Sequence, residues 1–128
     1  GFVISEDGYV VTNNHVIDGA DEIQVEFFEG FELPAELVGT DPNTDIALLK
    51  VEADTPLKFV NFGDSDTARV GDWVIAIGNA LALPGGPTVT VGVVSALGRS
   101  IESTPGVTLY DLIQTDTSIN PRRTAVGR

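Results

Sequence analysis

Short runs rich in Val, Ile, Leu and Phe, each closed by Asp, Gly, Asn or Pro, recur along the whole chain. This rhythm suits strands joined by tight turns and predicts an all-β sandwich or barrel instead of a helical bundle. GFVIS and YVVT flank EDG, an Asp-Gly hairpin signal. In EIQVEFF the apolar Ile23, Val25 and Phe27 alternate with Glu22, Gln24 and Glu26, the pattern of a half-buried strand. FELPAELV follows the turn Glu29-Gly30, with Leu33, Ala35 and Leu37 on one face and Pro34 marking an edge or a bulge. TDPNTD is dense in turn formers, and IALLKV after it reads as a strand covered on both faces.

These elements predict a first barrel-like unit over residues 1–62. GDSDTARVGD then reads as a linker in which Asp64 and Asp66 cap a turn. A second unit over residues 63–121 opens with WVIAIGN, in which Trp73 is expected to pack in a core or an interface. It passes the loop ALALPGGP, continues through TVTVGVVSALG and returns through LYDLIQTD. PGGP is followed by no lysine and no Gly-Lys-Ser/Thr, so it reads as a loop and not as a phosphate cradle.

The composition narrows function by exclusion. Nineteen acidic against seven basic residues give a net charge of −12, a field that repels phosphate backbones and anionic lipid headgroups. Neither nucleic acid nor a membrane surface is an expected partner. With no cysteine in the chain, disulfides, thiolate metal sites and a cysteine nucleophile are excluded. The apolar runs are too short to span a bilayer. The start, GFVIS, carries no Met and no leader, so the chain reads as a fragment.

Only one histidine is present, His15, in TNNHVI. It stands where the chain leaves a strand, a place where a rigid scaffold presents functional groups. A solvated or hydrogen-bonded side chain and a general base are both open for it. A general base needs a carboxylate on its second ring nitrogen to fix the tautomer. Asp45, between the turn DPNT and the apolar IALLKV, is the best-anchored acid for that role, with an Asx-turn or cap as its alternative. The pairs Asp41 and Asp45, or Asp64 and Asp66, lack the glycine and distant glutamate of a calcium loop and read as turn chemistry.

TNNHV, DIALLK, GDSD, RVGDWVIAIGN, TVTVGVVSALGR and LIQTDTSINP together, in this order from Gly1 to Pro121, resemble the protease domain of the HtrA/Deg serine endopeptidases. The resemblance implies a chymotrypsin-like double β-barrel, the first barrel nearly complete here and the second partial. It implies that His15 is the general base and Asp45 its orienting partner. It also implies proteolysis of unfolded or damaged proteins, an extracytoplasmic location, homotrimers, extended polypeptides as partners, and no metal or cofactor. By the same resemblance, residues 112–116 shape the substrate pocket and RSIESTPGV, 99–107, is a mobile regulatory loop.

The chain departs from the family after Pro121. In place of Gly-Asn-Ser-Gly-Gly it reads RRTAVGR, so no serine follows Ser118 and the expected nucleophile position falls in the stretch Arg123, Thr124, Ala125. Thr124 is β-branched and lacks neighbouring glycines, which argues against it as a substitute nucleophile. Arg122, Arg123 and Arg128 also break the acidic composition, which makes residues 122–128 an anomalous tail. Codons for Thr-Ala-Val-Gly-Arg, read one base earlier, permit Ser-Gly-Gly-Pro, so a frameshift near Pro121 is one expectation. The rival expectations are a catalytically dead module that binds extended polypeptides and a non-functional truncated product.

Overall fold

The computed structural model describes residues 1–78, 87–104 and 106–119, the side chains of 103, 104 and 107 excepted. The loop expected at 80–87 lies outside them up to Gly86, and so does the whole tail from Asn120. The structure is all-β apart from single turns of helix. It separates into two compact units, the first Gly1–Phe62 and the second beginning at Gly63. Among the described residues, no helix is long and apolar enough to cross a membrane.

The first unit is one antiparallel sheet. Its strands are β1 (Phe2–Val3), β2 (Tyr9–Asn13), β3 (Ile23–Glu26), β4 (Glu32–Asp41) and β5 (Ile46–Val51), in the order β1-β2-β5-β4-β3. The helical turn α1 (Asn14–Ile17) follows β2 without a break. Beyond β1, the Leu57 and Val60 N–H groups donate to the Glu6 and Val3 carbonyls, so the end of the unit runs along that edge.

The alternation seen in the sequence sets the faces. Val10, Ile17, Ala47, Leu49 and Val51 form the buried core, with Ile23, Val25, Phe27, Leu33 and Ala35 packed against it. Each Val, Leu or Ile side chain contributes about 1.5–3 kcal/mol when fully removed from water. Strand β5 is covered completely on one face only. Ala47, Leu49 and Val51 are buried, whereas Ile46 is exposed and Leu48 and Lys50 are half-buried. The expectation of a doubly covered strand therefore fails, because no second layer lies over the Ile46 face among the described residues of this unit.

Two turns explain the register. Gly8 adopts φ +100° between β1 and β2, and its carbonyl accepts from Val51 N–H at 2.9 Å. Gly30, at φ +89°, turns β3 into β4, and Phe27 and Phe31 stack across that turn at 4.5 Å. Pro34 pairs with Gln24, but the β4–β5 ladder begins only at Ala35, so its missing N–H costs that ladder nothing. The bulge lies further on, between Leu37 and Gly39.

In the second unit a 3-10 turn, Ser65–Thr67, is capped by Asp64, whose carboxylate accepts from Asp66 N–H at 3.0 Å. Strands β6 (Trp73–Gly78), β7 (Thr88–Thr104) and β8 (Val107–Thr115) form an antiparallel sheet in chain order. Trp73 is 79% exposed, so it does not pack in the core of this unit, one of the two places expected for it. It shares a face with Ile75 and Ile77, and the described residues of this unit place no layer over that face. Described residues of the segment expected to be a mobile loop, 99–107, are paired as strand. Arg99, Ile101, Glu102 and Thr104 pair with Leu112, Leu109, Thr108 and Val107, which makes it the far end of a long hairpin.

Candidate active site

The helical turn α1, directly after β2, carries His15, and the turn before β5 carries Asp45. The two strands are direct neighbours, with Asn13 opposite Ile46. That pairing brings residues thirty positions apart to one end of the sheet.

The turn begins with Asp41. Its Oδ1 accepts from Asn43 N–H at 3.0 Å and its Oδ2 from the Thr44 hydroxyl at 2.9 Å. Those two bonds stabilise the charged carboxylate, the Thr44 hydroxyl most, and hold the Asp41 pKa below its ordinary 3.8. The chain then reaches Asp45 with φ +58°, a left-handed conformation that aspartate tolerates better than most residues. Placement between DPNT and IALLKV was legible in the sequence; this backbone state was not.

Asp45 contacts His15 at two points. Its Oδ1 accepts from the His15 backbone N–H at 2.9 Å, and its Oδ2 lies 2.6 Å from His15 Nδ1. The carboxylate side chain is 24% exposed and the imidazole 50%. An acceptor-only carboxylate on Nδ1 selects the tautomer with the proton there. Nε2 is then left with a free lone pair in the neutral ring.

Three further residues support the pair, and motif reading did not single them out. The Asp45 carbonyl accepts from the Asn14 backbone N–H and from Asn13 Nδ2, both at 3.0 Å. The Thr40 hydroxyl, on β4, donates to Asn14 Oδ1. The available signal was the pair of asparagines directly before the histidine, side chains that bond to nearby backbone.

The stretch Arg123, Thr124, Ala125 lies outside the described residues, so the structure places only His15 and Asp45 of the expected site. Among the described residues, no group of three or more His, Cys, Asp or Glu side chains is arranged to hold a metal ion.

The chain belongs to the trypsin-like peptidase domain family, whose model matches residues 1–122. Within that class it is similar to a probable periplasmic serine endoprotease DegP-like of Marinomonas sp. (strain MWYL1), 55% identical over 121 residues. The match covers 94% of this chain and 24% of that protein. A protein of the same description from Rickettsia conorii (strain ATCC VR-613 / Malish 7) is 50% identical over 120 residues, covering 94% of this chain and 23% of the relative. The chain thus spans about a quarter of the length of these relatives.

Among solved structures it resembles the HtrA-type protease AlgW with decapeptide, at 45% identity and a TM-score of 0.80 over 95% of this chain and 36% of the other. AlgW with tripeptide gives 45% identity and 0.81, over 95% and 39%. The fold is that of the trypsin-like proteases, and the resemblance to HtrA/Deg endopeptidases read from the sequence holds.

Proposed function

We propose that this chain carries the base and the orienting acid of a serine endopeptidase, His15 and Asp45, and that the intact protein hydrolyses unfolded polypeptides. One observation carries the reading: Asp45 Oδ2 stands 2.6 Å from His15 Nδ1 while Oδ1 binds the His15 backbone. That geometry holds the Nε2 lone pair available for a proton. In the intact enzyme Nε2 takes the hydroxyl proton of the attacking serine and returns it to the leaving amine. Asp45 fixes the ring and stabilises the imidazolium formed between those steps. Backbone amides of a glycine-rich loop stabilise the oxyanion.

The names of the relatives support the rest of the reading. Those described as periplasmic endoproteases favour an extracytoplasmic location, and AlgW solved with peptides favours extended polypeptides as ligands. The HtrA/Deg resemblance favours homotrimers and a two-barrel division at residues 62 and 63. Sequencing the source DNA across Asn120 to Arg128 in all frames tests the missing nucleophile. Ser-Gly-Gly-Pro in a neighbouring frame, with casein cleavage by the restored protein and none by its His15→Ala variant, supports the endopeptidase. A restored protein cleaving casein equally well with His15→Ala sinks it.

The stretch Arg123, Thr124, Ala125 at the expected nucleophile position holds no serine, which supports a second reading, a module that binds polypeptides without cleaving them. An intact frame together with peptide binding and no hydrolysis favours that reading over the first.

A further inference from the structure

Asp45 is held in a left-handed conformation, and from there its side chain reaches His15. Two donors converge on its carbonyl oxygen, the Asn14 backbone N–H and the Asn13 side-chain amide. Any residue except proline supplies the first; only a side chain of suitable length and chemistry supplies the second. Asn13 makes this bond at some cost. Its Oδ1 is buried and, among the described residues, has no hydrogen-bond partner, a desolvation that most polar side chains avoid. The opposite amide orientation would set that oxygen against the Asp45 carbonyl, so the donor must point there.

Asn14 anchors the other side. Its Oδ1 accepts from Thr40 on β4, and Thr40 Oγ1 also lies 3.4 Å from the Ile46 carbonyl. Consecutive asparagines therefore grip the chain on both sides of the Asp41–Asp45 turn. One holds the carbonyl of Asp45; the other holds the strand that leads into the turn.

We infer that Asn13 is a positioning residue for the His15–Asp45 pair, acting through the Asp45 carbonyl to keep its carboxylate turned onto the imidazole. The inference rests on the proposed pairing of His15 and Asp45 as base and orienter. Asn14 and Thr40 assist by fixing β4 against the helical turn. The Asn13 side chain bonds the Asp45 carbonyl and not the carboxylate or the ring, so its effect is read at His15 and not at its own position.

The chain's single histidine makes the test direct. In a 15N-labelled chain, every imidazole signal belongs to His15, and the proton on Nδ1 reports the bond to Asp45. In the native chain the Nδ1 proton should be seen downfield and slow to exchange; its absence would remove the pairing itself. In Asn13→Ala, with backbone amide signals distant from residues 12–15 and 44–47 unchanged, the Nδ1 proton should move upfield. Its exchange should accelerate by about two- to tenfold, the factor that losing a hydrogen bond of ordinary net strength brings. Asn13→Ser, which keeps a shorter donor, should recover part of the change.

An Nδ1 proton unaltered in folded Asn13→Ala would overturn the positioning role and leave the pairing standing. Where Asn13→Ala does not fold, the native chain decides. Asn13 Nδ2 protons exchanging as fast as those of exposed Asn61 overturn the inference, and protons slower by about twofold or more support it.

Discussion

Asp45 grips His15 by two atoms of the same carboxylate, the backbone N–H through Oδ1 and Nδ1 through Oδ2. The first bond fixes where the histidine stands and the second fixes how its ring is turned. A single side chain thus ties β2 and α1 to the turn before β5.

Asp45→Asn should keep the left-handed backbone, which asparagine also accepts, and lose the charge assistance of both bonds. The expected cost is about 1–2 kcal/mol. Asp45→Ala should cost about 1 kcal/mol more, because a side chain without local hydrogen bonding also pays the strain of positive φ. Urea unfolding of the two variants beside the native chain reads both values. Equal stability of all three would mean that the pair contributes nothing to holding the turn.

Gly8→Ala is a sharper test of the hairpin. A methyl group there would overlap the Val51 carbonyl oxygen, and φ is +100°. Val51 is fully buried and its N–H bonds the Gly8 carbonyl, so the neighbour cannot yield without opening the β5 end of the core. A loss of about 2–4 kcal/mol is expected, combining overpacking with backbone strain. A urea midpoint within error of the native one would show that this approach is not as close as described.

What the sequence made legible is what side-chain period and turn chemistry control. Ile23, Val25, Leu33 and Ala35 lie on the inner face because strands alternate, and Gly8 and Gly30 turn the chain because only glycine enters those conformations freely. The pairing of His15 with Asp45 was reachable through the family motifs. The φ of Asp45 was not, since a positive φ at a non-glycine depends on the bonds its carbonyl and carboxylate find in the fold. The exposure of Trp73 was not legible for a related reason: alternation assigns it a face but cannot say whether a layer covers that face.

Asp41 gives the turn a pH dependence with a definite sign. Its folded pKa lies below 3.8, chiefly because the Thr44 hydroxyl bonds the charged form, with help from Asn43 N–H. Such a group stabilises the fold above its unfolded pKa, and that contribution disappears as pH falls through the lower, folded value. The stability advantage of the native chain over Asp41→Asn should therefore be level above about pH 5 and shrink below 3.8. Urea unfolding of both chains at stepped pH values measures it; an advantage that grew on acidification would reverse the assigned cause.

Gly92, near the start of β7, packs against Asp116 and Thr117, the residues that follow β8. A methyl group on it would lie 2.5 Å from Thr117 Oγ1 and 2.7 Å from the Thr117 nitrogen, and would overlap Asp116 Oδ1. None of these neighbours is free to retreat. Asp116 Oδ1 accepts from Val93 N–H at 2.7 Å, and the Thr115 hydroxyl donates to the Val93 carbonyl at 2.8 Å. Thr117 N–H donates to Thr115 Oγ1 at 3.1 Å, and Thr117 is 5% exposed. Moving the segment aside would break these bonds and strand the buried Thr117, so Gly92→Ala should cost about 2–4 kcal/mol. It should also speed hydrogen exchange at Val93 N–H, whose acceptor is displaced. Gly63, in the same unit, has open space at its Cβ position and no positive φ. Gly63→Ala should thus change stability by no more than about 0.5 kcal/mol. If the two alanines behave alike, β7 does not constrain the exit of β8, and the segment leading to the expected nucleophile position is held by something else.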